Sequence, residues 1–402
     1  MSAEAFFDPT ALLAEASAQA GGLGDFGDAS FRPALEQVCE AYEKQSQLTD
    51  MGRGLLKQKL VGHLANRLRI EDYFKRHPEI AQESIGAPLV IVGLPRTGTT
   101  RLQRLLSRDQ RFWSMLFWES QFPVPLPDET LQQPTVRIAH AKGIVDYMVT
   151  SMPKLLAIHP MAAEEADEEV MLMEHSFLSA FDSYADVPDY VAWLDAQDQT
   201  PAYVFLKRCL QFLQWQKRQR GITGQRWLLK TPHHLLRMDI LLKVFPSVQV
   251  ILTHRDPVQT IPSIASFIDT LWRIYGTNVD AGAAGRSWSE RMARGLRHTM
   301  KVRQQAPPGQ FLDVDFRDTV KAPMEVVRRI YEFIGWPLTA EVEAAMRAWL
   351  AEDEKQHDAK GGHEYTPEQF GLSEAQLRKD FAEYRTAMCH PEERSDEGSR
   401  SA

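Results

Sequence analysis

The chain has few cysteines: Cys39, Cys209 and Cys389, odd in number and far apart among 402 residues. That pattern excludes a disulfide framework and offers no thiolate metal site. No apolar run approaches the roughly 20 residues that span a bilayer. The N-terminal stretch MSAEAFFDPTALLAEA carries acids and no basic region, which argues against a secretory signal. These absences lead us to expect a cytoplasmic protein. Positive charge is also scarce. Lys and Arg number 46 against 54 Asp and Glu, the net charge is −8, and there is no polybasic block. Nucleic acid is therefore not the expected partner, although an acidic average leaves room for a local basic pocket. There are no internal repeats.

What is present is an ordinary globular composition, 44% apolar and 25% charged, long enough for one large α/β domain with helical additions or for two small domains. The stretch that organises it runs from Pro88 to Leu106. Leu89-Val90-Ile91-Val92 is short, apolar and β-branched, the mark of a strand buried on both faces. Gly93-Leu94-Pro95-Arg96-Thr97-Gly98-Thr99-Thr100 follows, and then Leu102, Leu105 and Leu106 at helical spacing. Strand, glycine loop and helix together cradle phosphates: the loop N–H groups converge on the anion and the helix dipole points at it. The spacing is that of a P-loop, with Gly93, Gly98 and Thr100 in place but Thr99 where a triphosphate-binding loop has lysine. That departure argues against ATP or GTP hydrolysis. Arg96 supplies a cation inside the loop, and a short 5′ anion fits better than a triphosphate.

Residues 1–86 read as a helical extension. Asp8-Pro9-Thr10 makes a capped start, and Leu35, Val38, Tyr42 and then Leu55, Leu60, Leu64, Leu68 keep helical spacing. These helices are expected to pack on the core or on a second copy of the chain. Phe112 to Phe117 predicts a second strand ending at Trp118-Glu119-Ser120. A proline-rich loop, Phe122 to Pro127, follows, of the kind that lines a pocket rim. Residues 133–220 predict a mostly helical insertion. Within it, 162–177 reads as an acidic helix bearing Glu164, Glu165, Asp167, Glu168 and Glu169: a solvated face, or, more sharply, the source of one acid in the substrate pocket. Arg226 to Lys230 and Val248 to Thr253 predict strands followed by helices, and Phe311 to Phe316 a last strand. Helix is expected over 286–303 and 323–334, and 389–402 is expected to be a disordered tail. The fold class is α/β, a P-loop-containing parallel β-sheet flanked by helices, with N-terminal and inserted helical segments and a main domain over 87–388. Ligands of such sheets bind beyond the carboxyl ends of the strands. Arg96, Glu119, Lys230 and Arg255 all follow predicted strands at that end.

Pro95-Arg96-Thr97-Gly98-Thr99-Thr100 resembles the 5′-phosphosulfate loop of sulfotransferases that use 3′-phosphoadenosine-5′-phosphosulfate (PAPS). It is closer to the Pro-Arg-Ser/Thr-Gly-Thr-Thr of tyrosylprotein-type and many bacterial members than to the Pro-Lys-Ser-Gly-Thr-Thr of cytosolic ones. His254-Arg255-Asp256-Pro257, with Ser263 eight positions after Arg255, resembles the family's 3′-phosphate site. The arginine forks onto phosphate oxygens and the serine donates from the helix. The bland alternative is an arginine capping a strand and a surface serine. The resemblance, which covers roughly 87–385, implies PAPS as co-substrate, bound by Arg96, Thr97, Gly98, Thr99, Thr100, Arg255 and Ser263. Asp256 could pass for a magnesium-binding aspartate, but Arg255 beside it makes that less attractive, and no metal is expected. Arg96 and Lys230, the latter in a Lys-Thr-Pro that resembles the tyrosylprotein-type lysine, are expected to stabilise the leaving phosphate. Glu119 matches the glutamate base of that group by its spacing from the loop; its plain alternative is a salt-bridged acid at a strand end. His233 or His234 is the other candidate base, because cytosolic members use Lys-Thr-His, although Pro232 occupies that histidine's place here. Lys360 to Tyr365 lies where the cytosolic family closes a loop over the 3′-phosphate. Trp113, Phe117, Trp118, Phe177, Phe181 and Tyr184 suggest a hydrophobic or phenolic acceptor, and are equally readable as core. The alternatives to a sulfotransferase are a P-loop small-molecule kinase and a non-catalytic nucleotide-binding protein of the same fold.

Overall fold

The computed structural model describes residues 5–151, 161–358 and 365–389. Two compact units account for the chain. One combines 86–114, 224–267 and 281–402; the other combines 1–85, 115–223 and 268–280.

The first unit is built on a five-stranded, all-parallel sheet: β1 (Leu89–Gly93), β2 (Phe112–Ser114), β3 (Arg226–Lys230), β4 (Gln249–His254) and β5 (Phe311–Asp315), in the order β2-β3-β1-β4-β5. β1 is central and all five of its residues are buried, as a strand covered on both faces requires. Leu89 and Ile91 pack with Leu102, Leu105 and Leu106 of the helix Thr99–Leu106 and with Val327, Ile330 and Tyr331 of the helix Pro323–Ile334. Val90 and Val92 face the other way. The register pairs Ile91 with both Lys230 and Ile251, and Gly93 with Thr253. Parallel pairing therefore brings the ends of β1, β3 and β4 to one edge. The chain leaves β1 towards β2 and leaves β4 towards β5, so the direction of winding reverses between β1 and β4. A crevice for ligands opens beyond the strand ends at such a reversal.

The second unit is helical, with Pro9–Gln19, Phe31–Lys44, Asp50–Arg76, Thr135–Ser151, Pro188–Asp195 and Thr200–Gln219 as its longer helices. Asp8 caps the first through Thr10 N (2.9 Å), as its sequence predicts. The N-terminal helices pack on the insertion: the Tyr42 hydroxyl donates to Phe181 O (3.0 Å) and Arg208 pairs with Glu71 at 2.7 Å.

Several expectations change. β2 stops at Ser114, and Phe117 to Gln121 is a short helix. The acidic stretch 162–177 is mainly turns, with helix only over Val170–Met173 and a 3₁₀ turn over Glu174–Ser176. Nor is it a solvated face: Asp167, Glu169 and Glu174 are buried. The chain after β3 is a 3₁₀ turn, Pro232–Leu236, before the helix Met238–Val244. The expected loop at Lys360 to Glu364 and the expected disordered tail beyond Cys389 lie outside the described residues. Among the described residues no helix is long and apolar enough to cross a membrane.

Candidate active site

The loop after β1 depends on two glycines. A side chain on Gly93 would place its Cβ 2.0 Å from Thr253 Oγ1, so only glycine lets β1 run this close to β4. Gly98 sits at φ 77°, left-handed backbone, and starts the helix Thr99–Leu106 with no side-chain cap over the first N–H groups. Arg96 also lies at positive φ, 70°, a conformation that costs a non-glycine residue of order 1 kcal/mol and marks functional loops. Thr97, buried, donates its hydroxyl to Leu94 O (2.6 Å) and lies 2.7 Å from Thr253 Oγ1, which pins the loop to β4. Lys230 is fully buried at the end of β3, and its Nζ donates to Thr100 Oγ1 at 3.2 Å.

Arg255 follows β4. It donates from Nη1 to Arg96 O (2.9 Å) and from Nε to Gln259 Oε1 (3.2 Å), and lies 4.2 Å above the Phe316 ring. Guanidinium carries five N–H donors, so most remain for a ligand. Burial, and then the like charge of Arg96, lowers the Arg255 pKa. Ser263, 8% exposed on the helix Pro257–Tyr275, has a buried Oγ with no hydrogen-bond partner. Asp256 is bound instead to Arg385, at 2.9 and 3.0 Å.

Arg96, Thr97, Gly98, Thr99, Thr100, Lys230, Arg255 and Ser263 all belong to the sheet unit, where Arg255 contacts Arg96 and Lys230 contacts Thr100. Glu119 belongs to the helical unit. It is 1% exposed, and its oxygens accept from Lys217 Nζ (2.7 and 2.6 Å), Arg220 Nη2 (2.7 Å) and Leu116 N (3.0 Å). Burial alone would raise its pKa; the Lys217 and Arg220 charges outweigh it and hold the carboxyl below its usual range. The salt-bridged acid, the plain alternative, is what this geometry describes. His233 lies in the sheet unit on the turn after Lys230, partly exposed, with Nδ1 3.2 Å from Thr231 Oγ1 and its ring edge-on to Trp288; His234 is fully buried. The six aromatics considered for the acceptor are all buried core. The proline-rich loop does line a pocket of about 370 Å³ in the helical unit, with Arg69, Tyr73 and Arg76. Sequence reasoning missed Thr253, the partner of both Gly93 and Thr97, because a lone threonine in a strand carries no motif.

A glycine loop between strand and helix, at the reversal point of a parallel sheet, defines the class. The chain belongs to the sulfotransferase family, whose sequence model matches residues 88–340. It is 29% identical over 257 residues to the omega-hydroxy-beta-dihydromenaquinone-9 sulfotransferases Stf3 of Mycobacterium bovis and Mycobacterium tuberculosis; the match covers 62% of this chain and 62% of theirs. The chain thus spans less than two thirds of the length of these curated relatives. Crystal structures of two mycobacterial sulfotransferases are similar over nearly the whole chain. STF9 from Mycobacterium avium has a TM-score of 0.84 and 27% identity, covering 96% of this chain and 97% of that one. STF1 from Mycobacterium tuberculosis H37Rv has 0.79 and 29%, covering 93% and 98%.

Proposed function

We propose that this protein transfers the sulfuryl group of PAPS to a hydroxyl on an apolar acceptor. Family membership favours sulfuryl transfer over the kinase reading. The observation that carries the choice of donor is the second anion corner: Arg255 with unused donors and Ser263 with a buried hydroxyl lacking a partner, in the same unit as the P-loop. A nucleotide with anions at both 5′ and 3′ supplies a partner for each; ATP does not. Arg96, the uncapped N–H groups after Gly98 and the Thr99 and Thr100 hydroxyls hold the 5′-phosphosulfate, and Lys230 and Arg96 stabilise charge on the leaving phosphate as sulfur is displaced in line. No step here calls on a metal. The base is His233 in this reading, since it neighbours Lys230 and a lowered carboxyl pKa makes Glu119 a poor proton acceptor at neutral pH. An apolar acceptor is supported by the two Stf3 relatives, whose name gives a hydroxylated dihydromenaquinone. Three unpaired cysteines fit a reducing, cytoplasmic setting.

Calorimetry tests the donor. Adenosine 3′,5′-bisphosphate should bind tightly without magnesium and ADP weakly. Magnesium-dependent ATP binding in preference to the bisphosphate would return the kinase reading, and bisphosphate binding without turnover over a broad acceptor panel would leave a binding protein. Acceptor screening with labelled PAPS should favour apolar alcohols and phenols over long polysaccharides.

A further inference from the structure

Arg255 is flanked by two residues that are both gripped by one segment late in the chain. His254, 3% exposed at the end of β4, has Nδ1 2.8 Å from the Tyr384 hydroxyl and Nε2 2.8 Å from Asp313 Oδ1. The pairing is self-consistent when Tyr384 donates to Nδ1 and Nε2–H donates to Asp313. Asp313 is ion-paired with Arg303, and Arg303 Nη1 reaches the Met388 sulfur at 3.7 Å. On the other side, the Asp256 carboxylate receives the Arg385 guanidinium through two bonds, and its Oδ1 also accepts from Val258 N at 3.0 Å, capping the helix that carries Ser263. The segment Tyr384 to Met388 therefore closes a ring with β4, β5 and the helix Ala281–Gln305. Arg385–Cys389 is a single π-helical turn, a rare backbone form that recurs at functional positions.

We propose that Tyr384 and Arg385 are positioning residues for Arg255, so that recognition of the cofactor's 3′-phosphate depends on the C-terminal segment. This rests on the PAPS reading above. Arg255 sits on a short corner between strand and helix, and the reach of its guanidinium is set by the backbone of 254–256. The segment fixes that corner from both sides. It also sets a cation against Asp256, the carboxylate next to Arg255. Arg385 itself need not touch the ligand.

The test compares affinities for adenosine 3′,5′-bisphosphate and adenosine 5′-monophosphate, which differ only at the 3′ position, by calorimetry on the full chain. A hydrogen bond to a charged group corresponds to roughly tenfold in an equilibrium constant. Tyr384→Phe and Arg385→Ala should each lower the bisphosphate-to-monophosphate affinity ratio about tenfold and leave monophosphate binding unchanged; Arg385→Lys, which keeps the charge but not the fork, should fall between. Thermal melts of Tyr384→Phe, a change of one hydroxyl, verify a folded protein should Arg385→Ala prove unstable. If wild type prefers the bisphosphate and the folded variants keep its ratio, or lose both ligands equally, the positioning role is overturned while the PAPS reading stands. A wild type without that preference overturns both.

Discussion

What a side chain can do depends on what already holds it, and three residues of this protein separate on that criterion. Glu119 is held by four hydrogen bonds from two cations and a backbone N–H. Glu119→Gln leaves Lys217 and Arg220 buried without their counter-charge, so it should destabilise by roughly 3 kcal/mol, read as a lower denaturation midpoint, while the folded fraction keeps its kcat. An unchanged midpoint with a large kcat loss would make Glu119 the base after all. His233→Ala should do the opposite: a kcat lower by about 10²–10⁴-fold, with bisphosphate affinity and melting temperature near wild type. For an acceptor as acidic as a nitrophenol the loss should shrink, since a phenolate needs little help. Ser263 gives the cleanest case, because its hydroxyl is buried with no partner. Ser263→Ala removes an unsatisfied group and should leave stability equal or higher, yet weaken bisphosphate binding by about 1 kcal/mol. A loss of stability without a loss of affinity would mean the hydroxyl serves the fold and not the ligand.

Elements separate in the same way. β1, the glycine loop and its helix were legible because three local signals agree there: a β-branched run, glycines at fixed spacing and a 3.6-residue period. β4 with Arg255 and β3 with Lys230 were legible from a short apolar run followed by helical spacing. The segment 162–177 was not. Its acids suggest a solvated helix, but several of them are buried, and Glu174 meets Lys59, His63 and Tyr184, partners that no local pattern announces. Thr253, Tyr384 and Arg385 escaped notice because their partners lie 129 to 160 positions away in sequence. The contact between β1 and β4 gives an element-scale prediction. Gly93→Ala puts a methyl 2.0 Å from Thr253 Oγ1, so the strands must part: stability should fall by about 1–3 kcal/mol or more and nucleotide binding with it. Gly143 lies in the helix Thr135–Ser151 with nothing within 4 Å of an added Cβ, so Gly143→Ala should raise stability by roughly 0.5–1 kcal/mol. Equal effects in denaturant titrations would show that the close approach at Gly93 is not a constraint.

At the scale of the whole molecule, each unit is assembled from segments distant in sequence, and the helical one relies on buried charge. Glu174, 1% exposed, is held by Lys59 Nζ at 2.8 Å, His63 Nε2 at 3.0 Å and the Tyr184 hydroxyl at 2.5 Å. Burial opposes its ionisation, but Lys59 and His63 overcome that and bring its pKa from 4.5 to about 2. Burial also lowers the His63 pKa, while its hydrogen bond to Glu174 opposes that. A carboxyl with a depressed folded pKa contributes stability that is fully present above its unfolded pKa and is lost as pH falls towards the folded one. The window here runs from pH 4.5 down to about 2, and the shift corresponds to roughly 3 kcal/mol. Wild type should therefore lose stability across that window, as followed by urea midpoints at successive pH values. Glu174→Gln should be less stable at neutral pH, because Lys59 loses its partner, and its midpoints should fall less steeply below pH 4.5, because the proton that weakens wild type has no carboxylate left to bind. Parallel acid profiles for the two proteins would show that Glu174 does not carry the acid sensitivity, and would move it to other carboxyls held low in this chain, such as Glu119, Asp109 and Asp313.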